Sequence, residues 1–208
     1  MVIRILAVLA VGYVLGCVNG AIVISHLGKK EDVRTHGSGN AGLTNFLRSY
    51  GGWATVLVAL VDLGKTALAC LIAVPLLPEQ PELAKMLAGL AAQIGHVFPA
   101  PYGFRGGKGI MCAAGLALMM DWRIFAILFG VFLLAYLTTG FVSLGSVLAA
   151  VGYGIAYYFF FPEQPQVWLI AFAMAALAIF MHRKNIARLL TGRETKTRLR
   201  KPKEGQRK

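Results

Sequence analysis

A polar, glycine-rich segment follows the first long apolar run of the chain. It contains three glycines, two hydroxyl side chains and two amides, which are Gly37, Ser38, Gly39, Asn40, Gly42, Thr44 and Asn45. Glycines leave backbone N–H groups accessible and the short polar side chains add hydrogen-bond donors, so this composition favours the binding of an oxyanion or a phosphate. A flexible loop has the same composition and is the alternative.

The glycine spacing in this segment also fits a dinucleotide-binding loop. Gly37, Gly39 and Gly42 match the G-x-G-x-x-G pattern, and Asp62 follows at a suitable distance. Such a loop requires a preceding strand and an alternation of strands and helices. The sequence indicates neither, so we expect no nucleotide cofactor.

A second polar segment separates two short apolar runs and carries two cations among glycines. Its candidate ligands are His96, Arg105, Gly106, Gly107 and Lys108. They precede the start of a predicted helix, where the helix N-terminus attracts anions and cationic side chains add full charges. The segment is not a Walker A loop, because Gly109 stands in the Ser/Thr position. Alternatively, the cations anchor the chain at the membrane surface and His96 satisfies a helix-end carbonyl.

Two further polar segments lie next to apolar runs. Ser143 and Ser146 place hydroxyls at the start of one run, although hydroxyls in membrane helices commonly bond to their own backbone. His182, Asn185 and Arg188 follow the last run at intervals of three residues, which places them on one face of a helix. A solvated basic helix end is the alternative for this last group.

One pair of charges lies inside an apolar run. Asp62 and Lys65 are three residues apart, so they can meet as an ion pair within a helix bundle. Ionisable groups at membrane depth are costly and commonly functional. The pair is therefore either structural or directed towards a substrate.

The composition places all these segments in a membrane protein. A soluble domain carries about 25% charged residues, whereas this chain of 208 residues is 57% hydrophobic and 14% charged, with a mean hydropathy of +0.65. A membrane span needs about 20 apolar residues, and five runs approach or meet that length: 2–27, 53–77, 124–138, 141–161 and 167–181. The first run is too long for a cleavable signal peptide, so we expect it to be retained as a helix.

Two shorter runs, 83–98 and 110–120, are either short spans or a re-entrant pair. We therefore expect an all-α integral membrane protein built as a seven-helix transmembrane bundle with two short helices. A re-entrant pair would leave five crossings.

The distribution of charge predicts the orientation of this bundle. Lys and Arg total 21 against 9 Asp and Glu, and eleven of the 21 lie in residues 183–208. Other cations cluster in the first two polar segments, and such residues accumulate in cytoplasmic loops. We expect the amino terminus outside, a single transmembrane domain over 1–182 and a basic cytoplasmic tail over 183–208. The tail is expected to contact anionic lipid headgroups rather than nucleic acid.

Taken in this order, the polar segments resemble those of the bacterial acyl-phosphate:glycerol-3-phosphate acyltransferases of the PlsY family. The resemblance runs through nearly the whole chain, in segments 37–45, 95–109, 142–146 and 182–194, and includes the charged pair in the second run. The chain departs from the family's usual residues at three positions that are not candidate phosphate ligands: Ala41, Phe141 and Gly145.

The resemblance implies an enzyme of phospholipid biosynthesis. It would transfer an acyl group from acyl phosphate to the 1-hydroxyl of sn-glycerol 3-phosphate, giving lysophosphatidic acid and inorganic phosphate. We expect it in the inner (cytoplasmic) membrane of a bacterium, surrounded by membrane lipid, with the active site facing the cytosol. No metal is expected because no cluster of His, Cys and acidic residues has ligand spacing, and no feature of the sequence demands more than a monomer.

On this resemblance we hypothesise that the catalytic residues are Ser38, Lys108, Ser143, His182 and Asn185. The two phosphates would be held by Ser38, Asn40, Thr44, Asn45, Arg105 and Lys108, while Ser143, His182 and Asn185 orient the glycerol moiety and the scissile carbonyl. The other substrate-binding residues would be Gly37, Gly39, Gly42, His96, Gly106, Gly107 and Arg188. His182 is the best protein candidate for a base, although the family's chemistry lets a substrate phosphate take the proton.

The competing class is a membrane permease for a small phosphorylated solute. A permease would use similar ligands at the ends of short or broken helices. It should also show internal repeats and a polar path open to both faces. This sequence shows no detectable repeat and gathers its polar segments on one predicted face.

Overall fold

The computed structural model describes residues 1–197, and within them the regular secondary structure is helical. The α-helices are α1 Val2–Cys17, α2 Gly20–Lys29, α3 Leu43–Tyr50, α4 Ala54–Leu76, α5 Pro81–Val97, α6 Ile110–Met120, α7 Trp122–Thr139, α8 Val142–Phe160, α9 Pro165–Met181 and α10 Arg183–Leu190. Two 3₁₀ turns, Val33–Thr35 and Ala100–Tyr102, lie in the loops before α3 and before α6.

The predicted fold class, an all-α integral membrane protein, is confirmed. Helices α4, α7 and α8 are long and apolar enough to cross a membrane, as is the combined segment of α1 and α2. Helices α9 and α10 reach that length only as a pair bent by 58°. The two short predicted runs form α5 and α6, which pack against each other and against α4. The number of crossings and the orientation of the termini stay predictions.

The first span is broken in its middle. The backbone leaves the helical conformation at Val18, and Asn19 then caps α2, its side-chain oxygen accepting a hydrogen bond from the backbone N–H of Ile22 at 3.1 Å. A break at membrane depth exposes backbone groups that lipid cannot satisfy. The ammonium of Lys65 donates to the carbonyls of Gly16 and Val18, at 3.1 and 2.7 Å, and so satisfies two of them.

Asp62 completes this arrangement from the same helix as Lys65. Its Oδ1 accepts a hydrogen bond from the backbone N–H of Gly20 at 3.1 Å and lies 2.9 Å from the Lys65 ammonium. Both side chains are almost fully buried. The charged pair noted in the sequence therefore has a structural role, because it compensates the backbone groups at the broken helix.

Glycines let the first span approach its neighbours closely. A Cβ on Gly12 would come 2.6 Å from the carbonyl oxygen of Ala88, and a Cβ on Gly20 would come 2.8 Å from that of Val58. Small residues at such positions allow membrane helices to pack backbone against backbone. Helix α1 accordingly packs along α5 and α4.

The predicted basic tail, residues 183–208, is only partly described. Residues 183–190 form α10, and the chain then returns to the bundle, where the backbone N–H of Thr197 donates to the Gly140 carbonyl at 2.9 Å. Arg48 holds this returning segment by donating to the Thr195 carbonyl and the Thr197 hydroxyl, each at 2.7 Å. The remainder of the predicted tail, 198–208, lies outside the described residues.

Candidate active site

All four polar segments line one cavity of about 360 Å³. The catalytic residues predicted from the sequence are among its walls: Ser38 before α3, Lys108 before α6, Ser143 at the start of α8, His182 after α9 and Asn185 in α10. The predicted ligands Gly39, Asn40, Gly42, Thr44, Asn45, His96 and Arg188 also line it. Stretches far apart in the chain therefore converge on a single site.

The first polar loop is organised by the side chain of Asn45. Its amide nitrogen donates to the carbonyls of Val33 and His36, at 3.1 and 3.0 Å, and its oxygen accepts from the backbone N–H of Ser38 at 2.8 Å. Gly37 has φ +56°, a conformation that favours glycine, and its missing Cβ leaves room for the Asn45 amide. Asn45 thus positions the loop, because its hydrogen-bonding groups are engaged there.

Two hydroxyls remain available in this loop. Among the described residues, neither the Ser38 hydroxyl nor the Thr44 hydroxyl has a hydrogen-bond partner, and both residues border the cavity. Hydroxyls can donate to an anion once it is present. Ser38 and Thr44 are therefore better placed than Asn45 to contact a phosphate.

The second loop is tied to the first by backbone contacts. The carbonyl of Gly106 accepts from the backbone N–H of Ala41 at 3.3 Å and from the Asn40 amide at 3.4 Å. Arg34, which is paired with Asp32 at 2.7 Å, donates to the Tyr102 carbonyl at the same distance. These contacts fix the two loops side by side.

Not every predicted ligand reaches the cavity. Gly37, Gly106 and Gly107 are not among the residues that line it. Arg105 follows Phe104, whose φ of +58° turns the chain, and the Arg105 side chain is exposed outside the cavity. The structure therefore does not bring Arg105 to the phosphate site predicted for it.

Lys108 is the cation at the centre of the site. Its ammonium donates to the side-chain oxygen of Asn185. Burial lowers the pKa of Lys108 to about 8, and Arg188 and Arg48 act in the same direction against the opposing attraction of Glu194. A bound anion would favour the charged form, so Lys108 is suited to holding a phosphate.

Glu194 joins three of the predicted site residues. Its Oε1 accepts from the Ser143 hydroxyl at 2.9 Å and from the Asn185 amide at 2.8 Å, while its Oε2 accepts from Arg188 Nε at 2.7 Å. Burial works to raise the pKa of Glu194, but the hydrogen bonds from Asn185, Arg188 and Ser143 outweigh it and hold the pKa below its ordinary value. An ionised Glu194 therefore orients these three side chains towards the cavity.

His182 presents a hydrogen-bond acceptor. Its Nδ1 lies 2.8 Å from the carbonyl oxygen of Ala178, which only accepts, so Nδ1 must carry the proton and Nε2 keeps its lone pair. Burial lowers the pKa of His182 to about 4, and the nearby Lys108 contributes in the same direction. The imidazole is thus neutral at physiological pH and can accept a hydrogen bond from a substrate hydroxyl.

The charge balance of the cavity is strongly positive. Five cations line it, which are Arg48, Lys108, Arg183, Lys184 and Arg188. The acidic residues among its walls are Asp62 and Glu194, and Asp62 is paired with Lys65. An apolar wall adjoins the charged one and consists of Leu43, Ile110, Met111, Phe132, Val142 and Met181. Such a cavity suits anionic groups attached to an apolar chain.

Two residues of the cavity wall, Arg48 and Glu194, are not among the site residues predicted from the sequence. Arg48 follows Asn45 by three residues and so shares its face of α3, which is the signal that could have identified it. No local pattern identifies Glu194, because it reaches the cavity only through the return of the chain after α10. Within residues 1–197, no cluster of His, Cys, Asp and Glu is arranged to hold a metal ion.

Comparison with known proteins gives consistent matches. Residues 6–192 match the family model described as glycerol-3-phosphate acyltransferase. The glycerol-3-phosphate acyltransferase of Shouchella clausii (strain KSM-K16) is 38% identical over 199 residues, covering 94% of this chain and 97% of the relative. That of Prochlorococcus marinus (strain MIT 9215) is 36% identical over 185 residues, covering 88% and 93%.

Solved structures agree with the sequence comparison. The crystal structure of PlsY (YgiH), an integral membrane glycerol 3-phosphate acyltransferase, in its glycerol 3-phosphate form superposes with a TM-score of 0.86 at 34% identity. This match covers 93% of this chain and 96% of that chain. The lysophosphatidic acid form of the same protein superposes with a TM-score of 0.83 at 33% identity.

Proposed function

Because this chain belongs to the glycerol-3-phosphate acyltransferase family, we propose that it acylates the 1-hydroxyl of sn-glycerol 3-phosphate with acyl phosphate as the donor. The products are lysophosphatidic acid and inorganic phosphate. The observation that carries this proposal is the convergence of four polar segments on one net-positive cavity with an apolar wall. Both substrates carry phosphate, which matches the cationic wall, and one carries an acyl chain, which matches the apolar wall.

The two phosphates bind to the cationic side of the cavity. Lys108, Arg188 and Arg48 supply the charge that attracts them, and the Ser38 and Thr44 hydroxyls supply neutral donors. Asn40 and Gly42 of the first loop border the same region, and among the described residues their backbone N–H groups have no partner, so they add further donors. Asp62 is neutralised by Lys65, so the five cations face the single carboxylate of Glu194, which leaves positive charge for two anions at once.

The glycerol moiety and the reacting carbonyl lie beside Ser143, Asn185 and His182. The 1-hydroxyl oxygen attacks the acyl carbon, the bond between that carbon and the phosphate oxygen breaks, and inorganic phosphate leaves. His182 Nε2 accepts a hydrogen bond from a hydroxyl of the glycerol moiety and so orients it, but it does not take the proton of the attacking hydroxyl. Because a pKa of about 4 makes His182 a weak base, the proton passes to a phosphate oxygen of the substrate.

The catalytic power then comes from positioning and charge stabilisation. Acyl phosphate is already activated, since phosphate is a good leaving group, so no covalent intermediate on the protein is needed. Holding both substrates in one cavity converts a bimolecular reaction into an effectively unimolecular one. The cations that bind the phosphates also stabilise the negative charge that develops on the leaving group.

The charges at the two ends of the bundle indicate how the protein is oriented in the membrane. The end that holds the cavity carries the excess of Lys and Arg, whereas the other end carries the balanced pairs Arg4–Glu79 and Asp121–Arg123. By the distribution of cations, the cavity faces the cytosol and the amino terminus lies outside. The protein then crosses the bacterial inner membrane seven times, with α1 and α2 as one span, and acts as a monomer.

Purified protein supplied with glycerol 3-phosphate and either acyl phosphate or acyl-CoA tests the reaction. We expect lysophosphatidate and phosphate in equal amounts with acyl phosphate, and no product with acyl-CoA. Product formed from acyl-CoA alone would contradict the proposed donor. If the protein instead carries glycerol 3-phosphate into liposomes and forms no acylated product, its function is that of a permease and not of an acyltransferase.

A further inference from the structure

A buried cluster of three ionisable side chains lies at the floor of the cavity. Lys65 Nζ lies 2.8 Å from His96 Nδ1 and 2.9 Å from Asp62 Oδ1, and the Asp62 and His96 atoms are 3.5 Å apart. All three side chains are at most 4% exposed. Asp62 and His96 border the cavity, whereas Lys65 lies behind them against the broken first span.

The contacts of Lys65 determine which nitrogen of His96 carries a proton. An ammonium group has three donors and no acceptor, so the His96 nitrogen that faces it at 2.8 Å must accept. The three N–H groups of Lys65 face four acceptors, because Asp62 Oδ1 and the Gly16 and Val18 carbonyls lie within 3.1 Å as well, and the Gly16 carbonyl, the most distant of them, shares a donor. A neutral imidazole whose Nδ1 accepts carries its proton on Nε2.

The protonated Nε2 of His96 faces the second polar loop. The backbone N–H of Gly107 donates to the His96 carbonyl at 3.1 Å, and the imidazole occupies the space that a Cβ on Gly107 would take. A side chain at Gly107 would therefore cover the nitrogen. Among the described residues, His96 Nε2 has no hydrogen-bond partner. It is a donor next to the residue before Lys108, in the wall of an anion-binding cavity.

We propose that His96 donates a hydrogen bond from Nε2 to a negatively charged oxygen of a bound substrate, and that Asp62 and Lys65 are positioning residues that hold it in this tautomer. This inference rests on the proposed function for the identity of the anion. His96 and His182 then have complementary roles, because one presents an N–H group and the other a lone pair to the same cavity. A buried neutral donor adds specificity for the anion without adding to the positive charge of the site.

The tautomer can be measured without any assay of activity. The full chain is prepared in detergent micelles with ¹⁵N-labelled histidine, and the His96 signals are assigned by their loss in His96→Gln. We expect Nε2 protonated and Nδ1 unprotonated, with the Nε2 signal shifting when glycerol 3-phosphate or a non-hydrolysable acyl phosphonate is added. A proton on Nδ1, or an Nε2 signal that neither ligand shifts, would overturn the inference. This result stands whether or not the protein transfers acyl groups.

Two substitutions at the same position separate donation from packing. Glutamine places an N–H group near the position of Nε2, whereas alanine does not. We expect His96→Ala to reduce kcat/KM by about 10²–10³-fold, the cost of losing one donor to a developing anion, and His96→Gln to remain within about tenfold of the wild type. A raised KM for only one substrate identifies whose oxygen is bound. Equal losses in the two variants, or wild-type activity in His96→Ala, would contradict the proposal.

Matched controls separate the positioning role from a merely structural one. His26 is exposed on α2, where its Nδ1 bonds to the Ile22 carbonyl, and His26→Gln should leave activity unchanged. The double variant Asp62→Asn with Lys65→Met should let His96 exchange between tautomers, which appears directly in the ¹⁵N spectrum. If the double variant keeps the Nε2–H tautomer, Asp62 and Lys65 do not position His96.

Discussion

Two clusters of charged side chains lie in this membrane protein, and they are balanced differently. In the inner cluster, Asp62 faces Lys65 at 2.9 Å, and their remaining bonds go to backbone groups at the break in the first span and to His96. In the outer cluster, Lys108 and Arg188 share the single carboxylate of Glu194 with other cations of the cavity. The inner cluster is compensated by the protein, whereas the outer one keeps a positive excess.

This difference separates a structural site from a binding site. Buried charges in a fold are paired, because an isolated charge at membrane depth is expensive. A cluster that keeps uncompensated cations while facing a cavity is suited to an anion that arrives from solution. We therefore propose that the phosphates bind at the outer cluster, whereas the inner cluster supports the helix break and contacts His96.

Removing one charge of the inner cluster should have the largest effect on stability. Asp62→Asn leaves the Lys65 ammonium buried without its counter-charge, which is expected to cost about 3–5 kcal/mol of unfolding free energy. The double variant Asp62→Asn with Lys65→Met removes both charges and should be more stable than either single variant. Unfolding in mixed detergent micelles measures these differences. A double variant as unstable as the sum of the two single variants would show that the charges do not compensate each other.

Removing the central cation of the outer cluster should reduce activity and leave the fold intact. Lys108→Ala removes a charged donor to a phosphate, so we expect turnover to fall by at least about 10²–10³-fold. Lysophosphatidate formation is the measurement, and thermal unfolding checks the fold. Lys29→Ala, which removes an exposed lysine at the end of α2, is the matched control. Wild-type turnover in Lys108→Ala would remove this residue from the site.

Glu194, the carboxylate of the outer cluster, should contribute both to stability and to the orientation of the side chains that donate to it. Glu194→Gln retains an oxygen for Ser143 and Asn185 but turns an amide N–H towards Arg188, so that hydrogen bond is lost. We expect a cost of about 1.5 kcal/mol of unfolding free energy, the lower end for a charged hydrogen bond because Arg188 is partly exposed. Steady-state kinetics should show a larger loss in kcat than in affinity for glycerol 3-phosphate.

Glu79→Gln provides the control for that substitution. Glu79 pairs with Arg4 at the opposite end of the bundle, where both side chains are more than half exposed. An exposed pair of this kind contributes at most about 1 kcal/mol, so activity and stability should change little. Equal effects of the Glu79 and Glu194 substitutions on kcat would contradict the orienting role of Glu194.

The pH dependence should report the ionisation of Lys108. Because its pKa in the free protein is about 8, the fraction that carries a positive charge falls as the pH rises through this value. We expect kcat/KM for glycerol 3-phosphate to decline above about pH 8, towards about tenfold per pH unit. Lys108→Arg keeps a charge throughout this range and should not show the decline, whatever its absolute activity. The same decline in Lys108→Arg would assign it to another group.

The smallest effect is expected at Arg105. Its side chain is exposed outside the cavity, so Arg105→Ala should change the KM for glycerol 3-phosphate by less than about threefold, as expected of a surface substitution. The motif in the sequence favours the opposite result, since it places Arg105 among the phosphate ligands. A KM raised as strongly as in Lys108→Ala would favour that interpretation.

Much of the fold can be predicted from the sequence, because a helix that crosses lipid needs about 20 predominantly apolar residues. Each long apolar run predicts one helix, and the structure forms helices over all five runs and both shorter ones. The break at Val18 and Asn19 was not predicted, since the apolar run continues through it. The residue that makes the break tolerable, Lys65, comes from another helix.

The site can be predicted only in part, because the sequence shows which polar residues stand between apolar runs but not how their side chains are oriented. Ser38, Lys108, Ser143 and His182 stand out because polar residues are conspicuous between apolar runs. The orientation of individual side chains depends on contacts between distant elements. Asn45 is directed into its own loop, and Glu194 reaches Ser143 because the chain returns after α10. No local pattern encodes either arrangement.

We propose that the uncompensated cations of the cavity bind the substrate phosphates. Equilibrium binding of glycerol 3-phosphate to the purified protein, without an acyl donor, tests it most directly. We expect binding to the wild type that is weakened at least about tenfold in Lys108→Ala, the equivalent of about 1.4 kcal/mol, and unchanged in Arg105→Ala. Undiminished binding to Lys108→Ala, with binding lost in Arg105→Ala, would contradict it.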